Sequence, residues 1–173
     1  IVDSKGAIVA TQELPRGYLV TTVAIGNFGD RLKPDPNIVL TLTDTWATMG
    51  MPNKIFRLDG ALRAIFAVDN ASYSPTATRI GDTAIADVDG DGKSDIVYAY
   101  HDLWWVGGDS GVVILNAAGV KQKEIRIPTL NDVDYYPVIT IDDFNADEKM
   151  DITLQTDSFL YPENTHETML YPL

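Results

Sequence analysis

Apolar residues fall in short runs broken by polar turns, and three stretches share one plan. IGNFGDRLKPDPNIVL from Ile25, IADVDGDGKSDIVYAY from Ile85 and IDDFNADEKMDITLQT from Ile141 each read as an apolar strand, a polar turn and a second apolar strand. Their first loop positions, Asn27, Asp87 and Asp143, lie 60 and 56 residues apart (27 to 87, 87 to 143), a period of about 58. Self-similarity at a fixed period is the signature of a repeat architecture. A second motif runs out of phase with the first: IVDSKGAIVATQELP from Ile1, FRLDGALRAIFAVDN from Phe56 and ILNAAGVKQKEIRIP from Ile114. Each reads as a short hairpin, with turns centred on Gly6, Gly60 and Gly119.

Two hairpins per period make four strands, the content of one propeller blade. No stretch sustains the 3.6-residue apolar period of a helix. The fold expected is therefore all-β: about three four-stranded antiparallel blades of a larger β-propeller, in one segment over 1–173. The repeats cover approximately 17–70, 78–128 and 136–173, preceded by an outer hairpin at 1–15. Propellers close with four or more blades, so the open ends are expected to meet other blades or subunits. The opening residues read as a strand and not as a charged and apolar signal, which suits a mature, processed or excised chain.

The turns carry the candidate chemistry. In DVDGDGKSD, Asp87, Asp89, Asp91 and Asp95 hold positions 1, 3, 5 and 9, with Lys93 at position 7 offering its backbone carbonyl. Calcium takes six to eight hard oxygens, and oxygen side chains at alternate positions of a tight turn can wrap one ion. Four like charges in nine residues repel strongly without a cation. Gly90 and Gly92 supply the backbone freedom for the wrap. The third stretch repeats the pattern with Asp143, Asn145, Asp147, Lys149 and Asp151, but has Ala146 and Glu148 in place of the glycines. Two calcium ions are thus expected. The first stretch keeps Asn27 and Asp35 but places Gly29 and Arg31 at positions 3 and 5, so its loop is expected to be metal-free. An EF-hand is excluded, because Tyr98 and Leu154 stand where its bidentate carboxylate belongs and the following residues read as strands.

IADVDGDGKSDIVYAY resembles the FG-GAP or VCBS repeat of integrin-alpha propellers and of many bacterial secreted proteins, in three copies over nearly the whole chain. In that family calcium sits in the hairpin between the first two strands of a blade, which implies the ligand sets given above. The resemblance implies a calcium-binding extracellular, secreted or cell-surface module for adhesion, ligand binding or structural assembly. The alternative is part of a secreted calcium-dependent polysaccharide lyase or another carbohydrate-active enzyme, with His101 or Tyr100 as base or acid.

Composition narrows the partners. Twenty-five acidic against thirteen basic residues give a net charge of -12, which repels nucleic acid and anionic membrane surfaces. No apolar run is long enough to span a membrane. Cysteine is absent, so disulfides and thiolate zinc sites are excluded. His101 and His166 lie outside any recognisable catalytic constellation, so no catalytic residue is expected. His101, Trp104 and Trp105 in HDLWWVGGDS are the candidates for contact with a glycan or an extracellular protein. Asn70-Ala71-Ser72 forms a glycosylation sequon that matters only in a eukaryotic secretory pathway.

Overall fold

The computed structural model describes residues 1–29, 32–44, 53–69, 79–101, 110–127, 138–147, 149–160 and 163–171. Among them there is no helix, and eleven strands form three antiparallel sheets, none of them closed. The first sheet runs β1 (Tyr18–Asn27), β2 (Pro36–Asp44), β3 (Lys54–Leu58) and β4 (Ala64–Asp69) in chain order. The second is β5 (Arg79–Ala86), β6 (Asp95–His101), β7 (Ser110–Leu115) and β8 (Lys121–Ile127). The third is β9 (Val138–Asp142), β10 (Asp151–Leu160) and β11 (Glu163–Tyr171). Each sheet is a meander, as expected where polar turns join consecutive β-branched runs.

Register shows how the sheets correspond. Ile25 pairs with Ile38 and Ile38 with Leu58, Ile85 with Ile96 and Ile96 with Leu115, Ile141 with Ile152 and Ile152 with Tyr171. Residues directly opposite share a face, so each sheet carries an apolar row at the same level. The irregularity at Arg57/Leu58 between β3 and β4 recurs at Ile114/Leu115 between β7 and β8.

Two apolar cores result. Val39 and Ile55 of the first sheet pack with Ile80, Ile96, Tyr98, Val113 and Leu115 of the second. On the opposite face of the second sheet, Val97, Ala99, Val112 and Ile114 pack with Ile139, Ile152 and Leu154 of the third. Burying each of the larger side chains stabilises by roughly 1.5–3 kcal/mol. The leading strands lie side by side, β1 against β5 and β5 against β9. Small residues permit the approach: a Cβ on Gly26 would overlap the Ile85 side chain. Hydrogen bonds from Thr22 Oγ1 to Thr83 Oγ1 (2.9 Å) and from the Ile139 amide to Asp82 Oδ2 (3.2 Å) link the same strands. The apolar row of the first sheet has no such cover at β1, where Val23 is 58% and Ile25 75% exposed.

The hairpin turns depart from the sequence expectation in one respect. Asp3, Asp59 and Asn116 organise three turns in the same way. Each side-chain Oδ1 accepts amides two and four residues on, from Lys5 and Ala7, Ala61 and Arg63, Ala118 and Val120. Each turn also closes with a backbone bond from the third residue on, Gly6, Leu62 or Gly119, to the carbonyl of the first. The residue three on takes the left-handed conformation: Gly6 (φ 82°), Leu62 (φ 64°) and Gly119 (φ 80°). Gly60 is therefore not the counterpart of Gly6 and Gly119; Leu62 is, at the steric cost a side chain meets there. At 1–15 the chain pairs through one antiparallel bridge, Val2 with Ile8, flanked by backbone bonds from Asp3 to Ala7 (2.9 Å) and from Val9 to Ile1 (3.0 Å).

Candidate metal centre

The loop between β5 and β6 spans Asp87 to Ser94 and closes on Asp95, the first residue of β6. Asp87 builds the turn: its Oδ1 accepts the Gly90 amide and its Oδ2 the Gly92 amide, both at 2.9 Å. Gly90 (φ 76°) and Gly92 (φ 85°) are both left-handed, a conformation that favours glycine at the two positions where the sequence places it. The Asp91 amide donates to Asp89 Oδ1 (3.0 Å), and Asp95 Oδ2 accepts the Val88 amide (3.2 Å).

This wrap brings carboxylate oxygens of Asp87, Asp89 and Asp95 within 4.8 Å of one another. Oxygens on one calcium ion are separated by no more than twice the metal–oxygen distance, about 5 Å, so the three can share an ion. Asp95 is 4% exposed, Asp87 half-buried and Asp89 exposed. Burial pushes the Asp95 carboxyl above its ordinary value; the Val88 amide opposes this, and the charges of Asp89, Asp91 and Asp87 add to it. A buried acid held among three others is a site in want of positive charge.

Not every expected ligand joins the group. Asp91 turns to Lys93, its Oδ1 accepting that residue's amide (2.8 Å) and its Oδ2 pairing with Nζ (3.2 Å). Those bonds hold the Asp91 carboxyl below its ordinary value. Lys93 contacts Asp91 through both its amide and its ammonium.

The loop from Asp143 to Asp151 has the same frame. The Asp147 amide donates to Asn145 Oδ1 (2.9 Å), the Lys149 amide to Asp147 Oδ1 (3.0 Å) and the Phe144 amide to Asp151 Oδ2 (3.2 Å), matching the bonds to Asp89, Asp91 and Asp95. Ala146 stands left-handed (φ 60°) where the other loop has Gly90. The carboxylates of Asp143, Asp147 and Asp151 do not converge as the first three do; among the described residues that group stands alone. Asp151 is 1% exposed, as buried as Asp95. A cleft of about 830 Å³ is lined by Asp87, Asp89 and Asp95 of the first of these loops, Lys123 of β8, and Lys149 and Met150 of the second.

In the β1–β2 loop Asp35 does not stand where its spacing from Asn27 suggests. Asn27 Oδ1 accepts the Gly29 (3.1 Å) and Asp35 (2.6 Å) amides. Register sets Asn37 opposite Gly26, as Asp95 stands opposite Ala86, so this loop is two residues longer and Asn37, not Asp35, is the counterpart of Asp95. Beside it lies a group the sequence did not single out. Arg57 is 8% exposed, stacks 3.9 Å over the Phe28 ring and donates through Nε to Asn37 Oδ1 (2.7 Å).

The remaining candidates divide. Tyr100 is 3% exposed and its hydroxyl donates to Glu124 Oε1 (3.0 Å), so the structure gives it a packing role and no approach for a substrate. Burial raises Glu124, but bonds from Lys121, Arg126 and Tyr100 outweigh it and keep that carboxyl low. Tyr98 and Leu154 lie buried in strands, consistent with the exclusion of an EF-hand. His101 ends β6 and His166 lies in β11. The side chains of both histidines, and Arg31, Asn70 to Ser72, Trp104, Trp105 and Glu148 altogether, lie outside the described residues. Among the described residues no helix is long and apolar enough to cross a membrane. No family model matches the chain, and comparisons with curated proteins and with solved structures find no match.

Proposed function

We propose that the chain is a calcium-binding β-propeller module of the FG-GAP or VCBS kind, non-enzymatic, serving adhesion, ligand binding or assembly outside the cell. The observation that carries this reading is the convergence of Asp87, Asp89 and Asp95 within 4.8 Å around a loop closed on a buried carboxylate. Three hard oxygens with room for backbone carbonyls and water suit calcium better than a transition metal, which favours nitrogen or sulfur ligands. The loop of Asp143 to Asp151, with matching hydrogen bonds, takes a second ion more weakly, since its carboxylates must first converge. Calcium at the millimolar level outside cells suffices for such loops.

The propeller reading is supported by the arrangement of the sheets. Their leading strands stand side by side, and the apolar rows led by Ile85 and Ile141 are covered by the sheet before, while the row led by Ile25 is exposed at its β1 end, though Leu58 at its other end is buried. That row is the seat of a further blade or subunit. Equilibrium dialysis against calcium tests the first claim: the wild type retains the ion, and Asp87→Asn with Asp89→Asn loses the tighter site. Retention unchanged in that double variant would overturn the reading.

A further inference from the structure

We infer that Arg57 is a cation built into the chain that does for the first loop what a metal does for the second, and that it latches the first sheet to the second. Loops that turn back on buried oxygens need positive charge or donors to satisfy them. In the second loop the closing residue is Asp95, ionisable and surrounded by acids. In the first it is Asn37, neutral and fully buried, and its oxygen is taken by Arg57 Nε. Asp35 adds its charge 3.6 Å from the guanidinium, and Phe28 covers one guanidinium face. A further donor reaches across to the second sheet, where Arg57 Nη1 bonds the Ala117 carbonyl within the turn organised by Asn116.

The counterpart of Arg57 in the second sheet is Ile114, since both stand at the same irregularity of their sheets. One substitution pattern therefore runs through the pair: acid with an apolar neighbour in the second loop, amide with a guanidinium in the first. Desolvation lowers the Arg57 pKa while Asp35 raises it, and the group stays ionised under all ordinary conditions. The first loop is thus closed by a charge that no chelator can remove. A second tie, from Ser94 Oγ to the Asn27 carbonyl at 2.6 Å, joins the two loops directly. The contrast with the second loop rests on the metal reading above; the role of Arg57 does not.

Amide hydrogen exchange on the full chain tests the inference. Arg57→Met keeps the length of the side chain without its charge, and Arg57→Lys keeps the charge without the fork. Exchange at Phe28, Asp35 and Gly119 is expected to quicken by roughly tenfold or more in Arg57→Met, the loss of charge-assisted bonds, and by clearly less in Arg57→Lys. If Arg57→Met fails to fold, Arg57→Lys alone decides, through faster exchange at those three amides with Val88, Gly90 and Gly92 unchanged. In the wild type, chelation is expected to quicken Val88, Gly90 and Gly92 and to leave Phe28 and Asp35 as they were. Equal effects of Met and Lys would show that Arg57 acts by packing alone and would overturn the inference. So would first-loop amides that open with the chelator as the second-loop amides do. A chelator that moves neither loop would defeat the metal reading and leave the Arg57 result standing.

Discussion

Replacing Asp95 by Asn should stabilise the metal-free protein and abolish its response to calcium. The side chain is 4% exposed, and its Oδ2 accepts the Val88 amide, a bond that an amide oxygen can keep. What is lost is a buried charge beside Asp87 and Asp89 at up to 4.8 Å. One such pair repels by about 0.9 kcal/mol at the dielectric of water and about 3.5 kcal/mol at an effective value of 20. Two pairs on the solvent side of the loop fall near the lower figure, so the gain is about 2 kcal/mol. For a chain of this size that is a rise of roughly 4–8 °C in Tm. Differential scanning calorimetry in chelator and in millimolar calcium separates the effects. On the proposed reading the wild type is expected to gain stability with calcium, because an ion bound by the folded state alone stabilises it. Asp95→Asn begins higher and gains little. A variant less stable than the wild type in chelator, or one that gains equally from calcium, refutes the reasoning.

Other perturbations follow from the same geometry. The Asp95 carboxyl is raised above 3.8, so in metal-free protein its contribution is fully present below that value and is lost as pH rises through the raised one; calcium affinity measured by titration should fall as pH descends into that range. Ala146→Gly relieves a left-handed side chain and should raise stability in chelator by about 1 kcal/mol, whereas Leu62→Gly, at a residue 8% exposed, should lower it; thermal unfolding decides both. Gly26→Ala forces a methyl into Ile85 and should cost about 1–3 kcal/mol, which Ile85→Val should not restore because valine keeps the Cβ and Cγ2 atoms that the methyl meets. Asp59→Asn should leave Tm nearly unchanged, because Asn116 fills the same role in its own turn, while Asp59→Ala should lose about 1 kcal/mol for its orphaned amides.

Much of this fold is legible in the sequence because two local signals act together. β-branched and aromatic runs after each polar turn leave no helical alternative, and the all-β antiparallel sheets follow. Alternate acids with intervening glycines mark the second loop, where Gly90 and Gly92 adopt the required conformation. The failures lie where a residue acts through something distant in sequence. Gly60 drew attention because glycine favours turns, but the turn obeys Asp59, and the left-handed position falls on Leu62. Asp35 matched a carboxylate pattern, yet only strand register shows that two further residues intervene and that Asn37 closes the loop. Arg57 reads as an ordinary charge on a hairpin strand; its partners at Asn37 and Ala117 are 20 and 60 residues away, beyond the reach of a local pattern. The pairing of Asp91 with Lys93, which leaves its carboxylate out of the group formed by Asp87, Asp89 and Asp95, is not predicted by spacing alone.

Whether the second loop holds calcium is decided by a crystal structure grown in calcium, with anomalous differences. An anomalous peak is expected among oxygens of Asp87, Asp89 and Asp95 at about 2.3–2.6 Å, with no peak in the loop that Arg57 closes. An ordered second loop without such a peak, or a peak beside Asn37, would contradict that expectation.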